Sequence, residues 1–427
     1  MMNSSSVKAV FRLYDLCWKL AIPALRLNRR LCEGFEQRIF ASDGSPAVDL
    51  WIQSASVGES YLTGELLNHL DPVPSIGALV TSNTSQGIQI LEHAVKDASA
   101  GNMGFGVSVS YFPFDKPGIM CRAVETLRPK VMVLLETEIW PGLFRALKTH
   151  GCKIIIINGR MTAKSLNKYL MWPSFWRRLA PDKILAVSEG DAERFGLLFG
   201  TEKVDLMPNM KFDRIGGIGS EPHPPNPLRG IFPAGTSLLV LGSVRQEEEP
   251  SVQKIILDIH RRLPEIVFGL FPRHMHRVKN WKKILNRLSI PWVLRSESKK
   301  QVPSGTVVLW DNLGELSLAY ALSKAAFVGG SLAPLGGQNF LEALTAGIVP
   351  VIGPSWENFA WVGREILEKG LVCIAPNWRE AADKLVENMT RPRPQSKVRQ
   401  EILKYVKARQ GGTVYACRTI EKFLNNR

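Results

Sequence analysis

From residue 34 onward, short apolar runs alternate with amphipathic stretches of helical length. The runs Val48–Gln53, Ala78–Thr81, Val131–Leu135, Lys153–Ile157 and Ile184–Val187 read as strands covered on both faces, because apolar residues there are nearly continuous rather than alternating. Helical stretches such as Gly58–Leu70 and Gln86–Lys96 lie between them. That order predicts a parallel sheet with helices on both sides. Residues 214–236, RIGGIGSEPHPPNPLRGIFPAGT, are dense in Gly and Pro and lack periodicity, which predicts a linker. The alternation then resumes with Ser237–Leu241, Ile266–Phe271, Thr306–Leu309, Ala326–Val328, Val349–Ile352 and Leu371–Ile374. A basic helical stretch over Lys397–Arg427, broken at Gly411–Gly412, closes the chain. The expected class is therefore α/β, with doubly wound domains at 34–213 and 237–392 and a helical segment at 393–427. In such sheets ligands bind beyond the carboxyl ends of the strands, so functional residues belong in the loops that follow them, around a cleft between the domains.

Residues 1–33 follow a different pattern. Lys8, Arg12, Asp15, Lys19, Arg26 and Arg30 share one helical stripe, and Arg29 adds to the basic excess. The other faces carry Val10, Phe11, Leu13, Leu16, Trp18, Leu20 and Leu25. This predicts an amphipathic helix, kinked at Pro23, that either lies in the interface of an anionic leaflet or packs on the body of the protein. The charges interrupt the apolar run and no small-residue cleavage site follows, which speaks against a secretory signal.

Composition narrows the partners. The 427 residues carry 54 Lys and Arg against 39 Asp and Glu, a formal charge of +15, with pI ≈ 9.6 and a mean hydropathy of −0.03. That excess calls for an anionic partner: nucleic acid, an acidic membrane surface or a phosphorylated ligand. No helix-turn-helix, RRM or zinc-finger pattern is present, so no nucleic acid is expected. Cys17, Cys32, Cys121, Cys152, Cys373 and Cys417 form no C-x-x-C pair, and there is no H-E-x-x-H. The expectation is reduced thiols and no bound metal.

Four strand-end loops carry candidate chemistry. Val48–Gln53 runs into Ser54-Ala55-Ser56-Val57-Gly58-Glu59-Ser60, which puts Glu59 in the first turn of the next helix, as a dipole-favoured acid or as a carboxylate base. Val131–Leu135 runs into Glu136-Thr137-Glu138-Ile139-Trp140-Pro141. Two carboxylates at the mouth of a buried strand suit either pKa tuning and ligand holding or a structural ion pair. Lys211, in Pro208–Asp213, either neutralises a leaving phosphate or is solvated. The fourth loop, Gly329-Gly330-Ser331 followed by Gly336-Gly337-Gln338-Asn339-Phe340-Leu341-Glu342, offers backbone N–H groups to a phosphate, with Asn339 and Glu342 on one helix face for ribose hydroxyls; plain turn glycines are the alternative. The turn at Gly242-Ser243 is a further anion pocket, and Arg273 after Pro272 is placed to meet phosphate. Neither G-x-x-x-x-G-K-[ST] nor a G-x-G-x-x-G after a strand is found, which disfavours a P-loop ATPase and a dinucleotide dehydrogenase.

Taken together, ASVGES, LLETEIWPG, NGRMTAKS, VSEGDAERF, NMKFD, FPRH, LGELSLAYALSKAAFVGGS and GGQNFLEALTAG resemble the 3-deoxy-D-manno-octulosonic acid (Kdo) transferases, the lipid A glycosyltransferases of Gram-negative bacteria, over about residues 48–360. The resemblance implies a GT-B fold of two Rossmann-like domains facing a cleft, with a C-terminal helix crossing back to the first. It implies CMP-Kdo as donor substrate, a lipid A precursor as acceptor, no cofactor and no metal, at the cytoplasmic face of the bacterial inner membrane. It also implies Glu59 as proton acceptor. Glu138, with Glu136 beside it, and Lys211 would support the transition state. Pro272, Arg273, Leu313, Gly314, Glu315, Asn339, Phe340, Leu341 and Glu342 would bind the donor, beside Ser243, Gly336 and Gly337 of the turns read above as anion pockets. Gln338, Gly142 and Val244-Arg245 depart from the family's usual His, Asn and Thr-His. Two alternatives stay open: a glycosyltransferase of the same fold using another sugar nucleotide, and a non-catalytic membrane-associated scaffold.

Overall fold

The computed structural model describes residues 4–28, 30–41, 46–72, 75–100, 106–215, 226–232, 234–298 and 300–425. Part of the expected linker, residues 216–225 and 233, lies outside the described residues, as do Arg29 and the side chain of Lys8. The chain divides into two units: Met1–Ile215 with Arg409–Arg427, and Gly216–Ala408.

The first unit is built on seven parallel strands: β1 (Leu50–Ser54), β2 (Gly77–Ser82), β3 (Gly106–Tyr111), β4 (Val131–Leu135), β5 (Lys153–Gly159), β6 (Lys183–Ala186) and β7 (Val204–Leu206), in the order β3-β2-β1-β4-β5-β6-β7. The second repeats the plan with β8 (Leu238–Val244), β9 (Val267–Pro272), β10 (Trp292–Leu294), β11 (Val307–Leu309), β12 (Ala325–Val328), β13 (Pro350–Ile352) and β14 (Cys373–Ile374), in the order β10-β11-β9-β8-β12-β13-β14. In each, the direction of winding reverses beside the first strand, at β1/β4 and at β8/β12. The apolar runs explain the centre of each sheet. Every residue of β1 and β4 is buried, and alternate residues feed cores on opposite faces: Trp51, Met132 and Leu134 on one, Leu50, Ile52, Val131 and Val133 on the other.

The apolar-run pattern had not picked out β3, β7 and β10, and all three are outer strands. Gly106–Tyr111 alternates Ser with Val and is only partly covered, while Val204–Leu206 and Trp292–Leu294 have three residues each. A strand paired on one side and half exposed has no need of a continuous apolar run.

Two terminal segments complete the first unit. The helix Ser4–Arg26 runs through Pro23 and packs by one face. Phe11 is 3% exposed and lies 5.5 Å from Phe175, Trp18 meets Phe114, Asp15 pairs with Lys116 at 2.9 Å, and the Tyr14 hydroxyl donates to Asp115. Leu13, Leu16 and Leu20 face outward. No helix among the described residues is long and apolar enough to cross a membrane. At the other end, the helix Gln395–Lys407 belongs to the second unit, whereas Gly412–Asn425 packs in the first, with Ala416, Cys417 and Ile420 in the same core as Leu62 and Leu66. Asp213 caps this last helix, accepting from Gly411 N, Thr413 N and Thr413 Oγ1, each at 2.7 Å.

Candidate active site

In the first unit the candidate residues sit at strand ends. Beyond β1, Ser56 is the N-cap of the helix Val57–His69, its Oγ accepting from Glu59 N. Glu59 reaches back: Oε1 accepts from Ser56 Oγ and Oε2 from Ala55 N, both at 2.8 Å. This reciprocal capping fixes the carboxylate at the helix start. Glu59 is 7% exposed. Burial raises its pKa above the ordinary value, opposed by the Ala55 N–H and the Ser56 hydroxyl, raised again by the charge of Glu136 and lowered by Lys211. Glu59 is thus within the electrostatic reach of the other three candidates. It is also a carboxylate whose proton affinity is moved toward neutral pH, as a general base requires.

Beyond β4, Glu136 adopts a positive φ of 56°, an unusual conformation for a residue other than glycine. It aims Oε1 at Lys211 Nζ, 2.5 Å away, with Arg160 Nη1 at 3.9 Å. Glu138 accepts from Trp140 Nε1 at 2.7 Å. Burial and then the neighbouring Glu59 push its pKa up to about 7; the Trp140 bond opposes this and Glu136 adds to it. Lys211 is held in a short 3-10 turn, Met210–Phe212, by Asn209 Oδ1 on its own N–H and by Asn158 Oδ1 on Met210 N, both at 3.0 Å. Arg160, in the quoted NGRMTAKS, had been given no role. Its side chain reaches Glu136, and its carbonyl accepts from Thr137 Oγ1 at 2.5 Å. An Arg directly after a strand was the available signal.

Behind this group, Asp115 accepts from Gly142 N and Leu143 N at the start of the helix Pro141–Thr149. Burial pushes its pKa up to about 7 against these bonds. A Cβ on Gly142 would lie 2.5 Å from the Asp115 carbonyl oxygen, so in this packing the residue is glycine because the loop after β3 comes so close.

In the second unit a pocket of about 250 Å³ brings together Ser243, Pro272, Arg273, Leu313, Gly314, Glu315 and Glu342. Phe271 and Trp310, stacked at 3.9 Å, line it as well and were not picked out from the sequence; nor was Asn312, whose buried Oδ1 has no partner among the described residues. Their signal was position alone, at the ends of β9 and β11. Asn339 Nδ2 donates to Glu342 Oε1 at 2.8 Å, so these two do share a face. Burial raises the Glu342 pKa, while Asn339 and Arg273 oppose the shift. Arg273 donates to Gln338 Oε1 at 3.1 Å.

Other expected donor residues have different surroundings. Phe340 and Leu341 are buried, and Phe340 packs on Trp356 and Phe359. Both carboxylate oxygens of Glu315 are taken, by Arg295 at 2.7 and 2.9 Å and by Trp310 Nε1 at 2.9 Å. The glycine turns use their own N–H groups. Gly330 N, Ser331 N and Leu332 N donate to the buried carboxylate of Glu248, Gly336 N to Ser355 Oγ, and Gly337 N to the Gly330 carbonyl. The nest read from the sequence as a phosphate cradle is filled by an anion of the chain itself. A Cβ on Gly329 would lie 2.4 Å from Glu248 Oε1, which is why the turn needs glycine there. That partner carboxylate lies some eighty positions upstream, beyond the reach of local pattern.

Among solved structures, UDP-GlcNAc 2-epimerase from Neisseria meningitidis matches with a TM-score of 0.54 at 12% identity, covering 88% of this chain and 99% of that one. The Anabaena protein HepE matches with a TM-score of 0.55 at 13% identity, covering 88% and 99%. At such identities these show the fold. A family model described as 3-deoxy-D-manno-octulosonic-acid transferase (kdotransferase) matches residues 29–214. The 3-deoxy-D-manno-octulosonic acid transferase of Chlamydia pneumoniae is 30% identical over 75% of this chain and 72% of its own length, and that of Haemophilus influenzae 27% over 86% and 85%. A bifunctional glycosyltransferase/methyltransferase of Fusobacterium nucleatum is 28% identical over 84% of this chain, which spans 56% of that longer protein. Two parallel-sheet α/β units with such neighbours define a GT-B-like fold, and the relatives named as transferases make the class a glycosyltransferase. The chain belongs to the 3-deoxy-D-manno-octulosonic acid (Kdo) transferase family.

Proposed function

We propose that this chain transfers Kdo from CMP-Kdo to a hydroxyl of a lipid A precursor of the lipid IVA type, with inversion at the anomeric carbon, at the cytoplasmic face of the bacterial inner membrane. The observation that carries the reading is Glu59: a buried carboxylate, fixed by Ala55 N–H and Ser56 Oγ, with its pKa raised, beside Glu136, Glu138 and Lys211. A sugar hydroxyl is a poor nucleophile at neutral pH, and Glu59 takes its proton as it attacks. The anomeric carbon of Kdo carries a carboxylate and no hydrogen, so its transition state is oxocarbenium-like. CMP leaves as a phosphate monoester. Lys211 and Arg273 are the cations assigned to the charge that develops, and the pocket at Ser243, Arg273, Leu313 and Glu342 is assigned to the nucleotide. The scheme uses side chains only and calls for no cofactor. The outward-facing Leu13, Leu16 and Leu20 beside Arg12 and Lys19 suit an anionic leaflet, where a lipid acceptor resides.

The test is incubation with CMP-Kdo and lipid IVA, with mass spectrometry counting the sugars added. Glu59→Ala is expected to abolish turnover and to leave CMP binding nearly intact. Near-normal turnover by that variant removes Glu59 from the scheme, and turnover with a UDP-sugar in place of CMP-Kdo replaces the donor.

A further inference from the structure

The helical hairpin after β5 ends in a tip that the proposed reaction does not use. Its arms are Ala163–Tyr169 and Pro173–Arg178. Between them Leu170, Met171 and Trp172 are 38, 72 and 47% exposed, and no other three consecutive described residues are exposed large hydrophobics. The tip stands on a firm base. Thr162 caps the first arm, accepting from Ser165 N at 3.1 Å. Tyr169 packs edge-on to Trp176 at 5.0 Å, and Phe175 is buried against Phe11 of the N-terminal helix. From Met161 to Ala180 there are four basic residues, Lys164, Lys168, Arg177 and Arg178, and no acidic one. All four basic positions are exposed.

We propose that the Leu170–Met171–Trp172 tip inserts into the headgroup region of an anionic lipid surface, as a membrane contact separate from the N-terminal helix. A contiguous large apolar tip in water is unfavourable, whereas Trp and Met at a lipid–water boundary bury their apolar bodies. Lys and Arg on the arms extend their aliphatic stems along that boundary and place their charges among anionic headgroups. An acidic protein partner would match the charges as well, but three exposed apolar residues between short helices offer it little area, whereas a bilayer receives them without a matching surface. The tip also adjoins the candidate site: Tyr169, next to Leu170, feels the negative charge of Glu138. Seating the tip therefore brings the lipid boundary to within one residue of a side chain at those carboxylates, and in this respect the inference rests on the reading that the acceptor is a lipid.

The experiment is sedimentation of the full chain with phosphatidylcholine vesicles, with and without phosphatidylglycerol, for the wild type, Met171→Glu/Trp172→Glu, Met171→Ser/Trp172→Ser and, for comparison, Leu16→Glu/Leu20→Glu. The wild type is expected to prefer phosphatidylglycerol vesicles, and both tip variants to bind them at least about ten-fold more weakly, as follows from losing even the partial burial of two large side chains. Turnover of CMP-Kdo with a water-soluble, deacylated acceptor is expected to stay unchanged in both. Vesicle binding equal to wild type in the tip variants, or no vesicle binding by the wild type, overturns the proposal. A protein as the true partner shows as tip variants that keep vesicle binding. Failure of the wild type to use the soluble acceptor overturns the catalytic reading instead, and leaves the vesicle result to be judged by itself.

Discussion

Lys211 Nζ lies 2.5 Å from Glu136 Oε1, an ion pair between residues 75 positions apart. Glu136 reaches it from a left-handed turn after β4, and Lys211 from a 3-10 turn after β7. The pair keeps a cation within electrostatic reach of Glu59 while neutralising one of three carboxylates. Lys211→Ala is expected to lower kcat by about 10²–10³-fold, the usual effect of removing one preorganised transition-state donor, with a smaller change in donor KM. Steady-state kinetics at saturating donor check this.

The activity of a carboxylate base rises with pH as the group ionises. Glu136 raises the pKa of Glu59 and Lys211 lowers it. Glu136→Gln removes the repulsion and one negative charge that offsets Lys211, and both changes favour ionised Glu59. The acidic limb of the kcat profile is therefore expected to move to lower pH. A limb that stays in place, or moves up, excludes Glu59 as the group that controls it.

Glu138 gives a stability prediction of known sign. Its pKa is about 7 against an ordinary 4.5, raised first by burial. A carboxyl raised in the folded state contributes stability that is complete below its unfolded pKa and is lost as pH rises through the folded value. Glu138→Gln carries no such loss. Its melting temperature relative to wild type is expected to increase between about pH 5 and pH 8. Thermal unfolding across that range measures the difference.

Asp213 holds the last helix to the first unit through three hydrogen bonds, two residues from Lys211. Asp213→Ala is expected to cost about 0.5–2 kcal/mol, as for other lost helix caps, and to lower the melting temperature. Asp213→Asn keeps one accepting oxygen but turns its NH2 toward the remaining donor, so it restores only part of the loss. Hydrogen exchange at Thr413 and beyond reports whether the helix end has loosened.

Glu248 satisfies four backbone N–H groups, those of Arg245, Gly330, Ser331 and Leu332. Glu248→Ala leaves them unpaired at about 1–3 kcal/mol for each that water does not reach. The expected result is a lower melting temperature and weaker CMP binding by calorimetry. Glu248→Gln keeps an acceptor and falls between the two.

Several features of the site were legible in the sequence because they are local. Glu59 lies three residues after its own cap, Asn339 lies three before Glu342, and both pairs meet as the spacing requires. The pocket residues Ser243, Arg273 and Leu313 follow apolar runs, and a doubly wound sheet brings strand ends to one edge. Phe340 and Leu341 lay beyond that reasoning, since a residue next to a binding motif and a residue in the core read alike until the packing is known.

The sequence by itself determined the two α/β halves, the central strands and the acidic and basic residues at their ends, because burial on both faces is written as continuous apolar runs. Only the tertiary structure decided that Lys211 meets Glu136, that Glu248 accepts from the N–H groups of the turn at Gly330, and that the helix Gly412–Asn425 returns to the first unit under Asp213. The reason is physical. Periodicity records which side of an element is dry, but contact between residues tens to hundreds of positions apart depends on strand order and on how each loop leaves its strand, and local hydrophobic pattern carries neither.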